Sequence, residues 1–294
     1  MDDIQVIPVV VPFMDEALTL HTYSLVGGAE VYPAPTVVLC HGFCGVQRLL
    51  LPAIARYFAQ NGYVVITFDY RGFGESSGER GRLTLARQQE DILTVLHWIE
   101  KNPILDETRI GLWGTSLGGV NAVCVAAHNP LVKCVISQMP FADGFTLLTA
   151  DMDEGEIHSF IASLEAMDER RRVVGKELWL SPMRILKDRD SQAFFKKHKQ
   201  DFPEIDTKIP FLTTKEMLYA RPIFFAGKVT QPTLVTLAEC DVVNPLAQGK
   251  QLFDALAGRK MLHVIAGAGH YQLYEPPFLE QALVVQHEWL RKHL

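Results

Sequence analysis

The chain has 294 residues, with 48% hydrophobic and 21% charged residues, which is ordinary globular composition. That excludes a disordered tail, a collagen-like repeat and a coiled-coil rod. A formal net charge of −6 argues against binding nucleic acid through a general basic surface.

In chain order, residues 4 to 11 and 17 to 26 are rich in Val, Ile and Leu, with an acidic break at Asp15-Glu16, and predict an antiparallel hairpin. Thr36 to Cys40 is a short apolar, β-branched strand ending in His41-Gly42. Apolar residues at helical spacing over 49 to 60 predict a helix stopped by Gly62. A buried strand over Tyr63 to Phe68 ends in Asp69-Tyr70-Arg71-Gly72, and a helix spans about Leu85 to Glu100. Arg109 to Trp113 reads as a strand, Leu117 to His128 as a buried helix, and Cys134 to Gln138 as a strand. The rhythm resumes with a strand over 232 to 238 and a helix at about Gln248 to Ala257. A strand at Met261 to Ile265 and a helix from Leu279 to Lys292 close the chain. Strands alternating with helices mean crossover units and a parallel sheet, whose ligands sit beyond the carboxyl ends of the strands.

Residues 151 to 221 break this rhythm. They are charge-rich and aromatic, without a parallel-sheet strand, and read as a mostly helical insertion. The basic run at 170 to 172 is expected to be a solvated helix face. Five scattered cysteines fit a reducing compartment, and Cys40 and Cys44 around His41 lack a second ligand pair for zinc. No signal peptide is visible at the amino terminus, and no run reaches the roughly 18 apolar residues of a membrane span. A cytoplasmic location is therefore expected.

The chemistry concentrates at strand ends. Gly114-Thr115-Ser116-Leu117-Gly118-Gly119 joins a strand to a helix. Serine on such a turn takes a strained backbone, and small neighbours let strand and helix approach. Its hydroxyl needs a base, and the base an orienting acid. His270 lies in a small-residue loop after the strand 261 to 265, and Asp241 after the strand 232 to 238. Glu239 and Asp143 are the alternative acids, although Asp143 also suits a helix cap. The backbone N–H groups of Phe43 and Leu117 are the expected oxyanion donors. His41 is expected to bond backbone around its own loop, and Asp69 and Arg71 to pin loops by charge-assisted hydrogen bonds.

His41-Gly42-Phe43, Asp69 to Gly74, Gly114-x-Ser116-x-Gly118, Asp241 and His270 together resemble the α/β-hydrolase superfamily in its own order. The stretch Gly111 to Gly119 is similar to dienelactone hydrolases, acetylxylan esterases and X-Pro dipeptidyl-peptidase-type hydrolases, and to fungal polyketide transferases. The resemblance implies an eight-stranded, mostly parallel sheet flanked by helices, with a helical cap inserted after the sixth strand. On this reading residues 1–140 and 229–294 are the core and 141–228 the cap. The expected activity is a serine hydrolase acting on an ester, thioester or lactone. Amide or peptide hydrolysis, acyl transfer and carbon–carbon cleavage are the alternatives. Asp151, Asp153, Glu154 and Glu156 would hold a substrate amine in the amide case. Met152, Phe160, Trp179, Phe194, Phe195 and Phe211 make the cap apolar. Most of them are expected to pack the cap on itself while it covers an acyl pocket. The expected partner is a small-molecule acyl substrate, with no cofactor, metal, nucleic acid or membrane, and a homodimer is left open.

Overall fold

Residues 3–26 and 33–294 are described by a computed structural model of the chain. Six strands come first: β1 (Ile4–Phe13), β2 (Glu16–Leu25), β3 (Ala34–Cys40), β4 (Val64–Phe68), β5 (Leu105–Thr115) and β6 (Val132–Gln138). Two short strands, β7 (Trp179–Leu180) and β8 (Ile209–Pro210), lie in the inserted region, and β9 (Thr233–Ala238) and β10 (Lys260–Ile265) follow it. The main sheet has eight strands in the order β1-β2-β4-β3-β5-β6-β9-β10. Pairing is antiparallel from β1 to β2 and from β2 to β4, and parallel beyond.

The period of two along each strand divides the core. Val37, Leu39, Val65, Trp113 and Ile136 face one side, under α1 (Leu51–Gln60) and the last helix. Val38, Cys40, Ile66, Leu112 and Val135 face the other, under α2 (Leu85–Glu100) and α3 (Leu117–Ala126). With helices on both faces, the central strands need no polar face, which is why they read as continuous apolar runs. All ten residues of α3 are buried, so this helix lacks a hydrophilic stripe.

Between β6 and β9 the chain forms α4 (Gly144–Leu148), α5 (Glu154–Val174), α6 (Arg189–His198), α7 (Thr213–Tyr219) and α8 (Ile223–Ala226). The remaining helices are α9 (Leu246–Ala255) and α10 (Phe278–His293). The insertion is mostly helical, as expected, but β7 and β8 pair antiparallel within it. Two residues per strand are too few to show a period. The helix predicted from Gln248 begins instead at Leu246, directly after Pro245. Proline cannot donate in a helix interior but suits its start. The Cys40, Cys44, Cys124 and Cys134 thiols are free and buried, and Cys240 is free and exposed.

Most of α5 is exposed, and three features define it. Asp153 and Glu156 form a capping box at its start, and Gly175, with φ 69°, ends it. Near its end, Asp168 takes Lys215 of α7 at 2.8 Å, Arg171 at 2.8 Å and Arg172 at 2.6 Å. The basic run is therefore partly spent on one carboxylate. The Lys215 hydrogen bond, then Arg171, hold Asp168 well below its ordinary value of 3.8. The folded chain keeps this charge to lower pH than the unfolded chain does. Its stabilisation is therefore complete above the ordinary value and fades as pH falls through it toward the depressed one. Asp168→Asn should lower stability by about 1 kcal/mol at pH 7. In thermal melts the gap from the parent protein should shrink at pH 3.

Candidate active site

The chain passes from β5 into α3 at Ser116, whose backbone has φ 55° and ψ −122°. Such a conformation costs a residue with a Cβ about 1–3 kcal/mol and persists only where its surroundings enforce it. A Cβ on Gly114 would lie 2.2 Å from the Gly118 carbonyl oxygen, and one on Gly118 would lie 2.2 Å from the Cys40 oxygen. Both glycines are therefore demanded by close backbone approach. Beneath the turn, Ser116 N–H donates to the Gln138 carbonyl at 2.8 Å. Thr115 Oγ1 shares a 2.6 Å hydrogen bond with Tyr274 OH and accepts from Gln138 Nε2 at 3.3 Å. Gln286 of α10 donates to Gln138 Oε1 at 2.8 Å and accepts from Trp113 Nε1 at 2.9 Å.

Asp241 follows β9. Its Oδ1 accepts the backbone N–H groups of Val243 and Asn244, each at 2.8 Å. Its Oδ2 meets His270 Nδ1 at 2.7 Å, and both side chains are buried. That contact occupies Nδ1 and leaves Nε2 without a hydrogen bond among the described residues. The serine hydroxyl takes Asn244 Nδ2 at 3.4 Å, and among the described residues no hydrogen bond joins it to the imidazole. Ser116, His270, Asn244, Phe43 and Leu117 all line one cavity of about 700 Å³. Leu117 is the first residue of α3, where a helix leaves its N–H groups unpaired.

The other candidates have different work. Glu239 Oε2 accepts Gly267 N–H at 2.8 Å, steadying the loop that carries His270. Asp143 caps α4 through Thr146 N–H at 2.8 Å and pairs with Arg221 at 2.8 Å. His41 Nε2 bonds the Leu49 carbonyl at 3.0 Å, and burial lowers its pKa to about 4, so it stays neutral. Asp69 accepts from Gln47 N–H at 2.7 Å, Gln47 Nε2 at 3.1 Å and Glu75 N–H at 2.9 Å. Arg71 binds Asp91, with Glu90 at 2.8 Å and Glu16 at 3.3 Å. Even so, burial pushes Asp91 up to about 6.

The inserted segment supplies an apolar wall: Met152, Phe160, Phe194, Phe195, Phe211 and Met217 line the cavity. This corrects the expectation that most of these side chains pack the segment on itself. Phe195 does both, since it also packs with Ile205 of the segment, and with Val46 and Leu49 of the loop after β3. Trp179 is absent from the wall and lies under the Arg82 guanidinium at 4.6 Å. Tyr271, next to the histidine, stacks on Phe194 at 4.3 Å and bonds Ser191 through its hydroxyl at 2.9 Å. The sequence reading missed Asn244, Tyr274, Gln138 and Gln286. Only Asn244 carried a signal, its place three residues after Asp241. Among the described residues no group of three acidic, His or Cys side chains could hold a metal, and no helix is long and apolar enough to cross a membrane.

The sequence model for the alpha/beta hydrolase fold matches residues 35–277. The chain belongs to the alpha/beta hydrolase family. An uncharacterized 31.7 kDa protein of the traX-finO intergenic region of Escherichia coli is 50% identical over 261 residues, 88% of this chain and 91% of that protein. The thiohydrolase aneE of Aspergillus aculeatus is 25% identical, covering 81% of this chain and 79% of its own. The crystal structure of the alpha/beta hydrolase GrgF from Penicillium sp. sh18 superposes with a TM-score of 0.79 at 23% identity, over 98% of this chain and 99% of that one.

Gly118→Ala should cost about 3 kcal/mol or more, because its Cβ meets two backbone carbonyls that cannot rotate away. Chemical denaturation against the parent protein measures this. A variant of unchanged stability would contradict the close approach.

Proposed function

We propose that this alpha/beta hydrolase is a serine hydrolase that cleaves an ester, thioester or lactone through an acyl-enzyme on Ser116. The observation that carries the reading is the buried 2.7 Å contact of Asp241 Oδ2 with His270 Nδ1, on the same cavity as a strained serine. In this mechanism the Ser116 side chain rotates from Asn244 toward His270. Nε2 takes its proton as Oγ attacks the carbonyl carbon. Asp241 holds the imidazole in the tautomer that accepts at Nε2 and stabilises the imidazolium that forms. The N–H groups of Phe43 and Leu117 receive the developing oxyanion. The imidazolium protonates the leaving alcohol or thiol, and His270 then activates a water that releases the acid.

Residues 141–228 act as the cap in this reading, and their apolar wall suits an acyl chain of a small-molecule substrate. The thiohydrolase name of one relative favours thioesters among the acyl substrates. The amide alternative loses its motif. Asp153 and Glu156 are exposed and spent on the capping box, and neither they nor Asp151 and Glu154 line the cavity.

A fluorophosphonate should label the protein at Ser116, and Ser116→Ala should lose both labelling and p-nitrophenyl ester turnover with its melting temperature preserved. Retained turnover would reject the assignment. Asp241→Asn should reduce kcat by about 10⁴ through the wrong imidazole tautomer.

A further inference from the structure

Asn244 occupies a place that the serine mechanism leaves unexplained. It is 6% exposed, its backbone N–H is held by Asp241 Oδ1 at 2.8 Å, and its Nδ2 donates to the Met139 carbonyl at 2.7 Å. The bond to Met139 fixes which end of the amide is nitrogen, because a carbonyl oxygen turned toward Met139 O would meet another acceptor. The same Nδ2 lies 3.4 Å from Ser116 Oγ, so the amide sits beside the position a reacting carbonyl must take. The other end, Oδ1, has no hydrogen-bond partner among the described residues and is not fully buried, on a cavity that Asn244 lines beside Leu117, Phe141 and Val243. An accessible acceptor that no protein group satisfies is free to take a donor from whatever enters the cavity.

We propose that Asn244 is a specificity residue whose side-chain carbonyl accepts a hydrogen bond from an O–H or N–H group on the acyl part of the substrate, on the first or second carbon from the scissile carbonyl. The inference rests on the acyl-enzyme reading of Ser116. It names the substrate class of that site as acyl groups bearing a donor near the reacting carbon, such as hydroxyacyl or acylamino compounds, over plain fatty acyl groups. A carbonyl carbon in contact with Oγ puts those two carbons within reach of an amide in contact with the same oxygen.

The test compares phenyl butanoate bearing a 2- or 3-hydroxyl with the matching methoxy esters, which keep the oxygen and lose the donor. At one of the two positions the parent enzyme should show kcat/KM about tenfold higher for the hydroxy ester. Asn244→Leu should bring that ratio to about 1, whatever its effect on turnover of both esters together. Fluorophosphonate labelling checks that the variant has an assembled site. Ratios within about twofold at both positions in the parent enzyme would overturn the proposal, as would a ratio that Asn244→Leu leaves unchanged, since that preference would be steric. A parent protein that neither labels nor turns over any ester would instead sink the serine reading, and this inference with it.

Discussion

An L-residue at φ 55° and ψ −122° sits in a conformation that an isolated chain avoids, and at Ser116 the fold enforces it. The enforcement is mostly steric. Strand β5 and helix α3 approach so closely that Gly114 and Gly118 have no room for a side chain, and α3 crosses the end of β3 against bare backbone. The serine is thereby presented at the carboxyl ends of the parallel strands. The loops after β3, β4, β9 and β10 are gathered at the same edge, so Phe43, Asp69, Asp241 and His270 need not be near one another in sequence.

A second constraint lies underneath. Trp113, Gln286, Gln138, Thr115 and Tyr274 form a hydrogen-bonded chain of buried groups running from α10 to the residue before the serine. Buried polar groups of this kind are costly when unpaired and rigid when fully paired. Gln286 also reaches Thr236 Oγ1 of β9 at 3.4 Å, which links the strand that leads to Asp241 with the strand that leads to Ser116. The last helix thus helps set the geometry of a site it does not touch.

Much of this was legible in the sequence because the signals are local. The Gly-x-Ser-x-Gly run, its placement between strand and helix, and small residues before His270 each follow from the conformational needs of a few consecutive residues. The apolar strands were legible because both faces are covered. Other features depend on partners far along the chain. Gln286 reads as one polar residue of an amphipathic helix, and its partner Trp113 lies 173 positions away. The aromatic residues of the insertion could not be divided between cavity wall and packing, since a Phe buried against a void and a Phe buried against a neighbour look the same in sequence. Strands β7 and β8 were too short to leave a period, and Trp179 was apolar by type but serves as a platform for Arg82.

Helix α6 is tied to the loop bearing His270 three times: Phe194 stacks on Tyr271, Ser191 bonds the Tyr271 hydroxyl, and Lys197 pairs with Glu275 at 2.6 Å. Segment and imidazole loop are in this sense one mechanical part. Exchanging the inserted region for that of a relative, as a way to redesign the pocket, would also replace the surface against which the imidazole's own loop is braced. Such grafts are expected to succeed only when both stretches travel together.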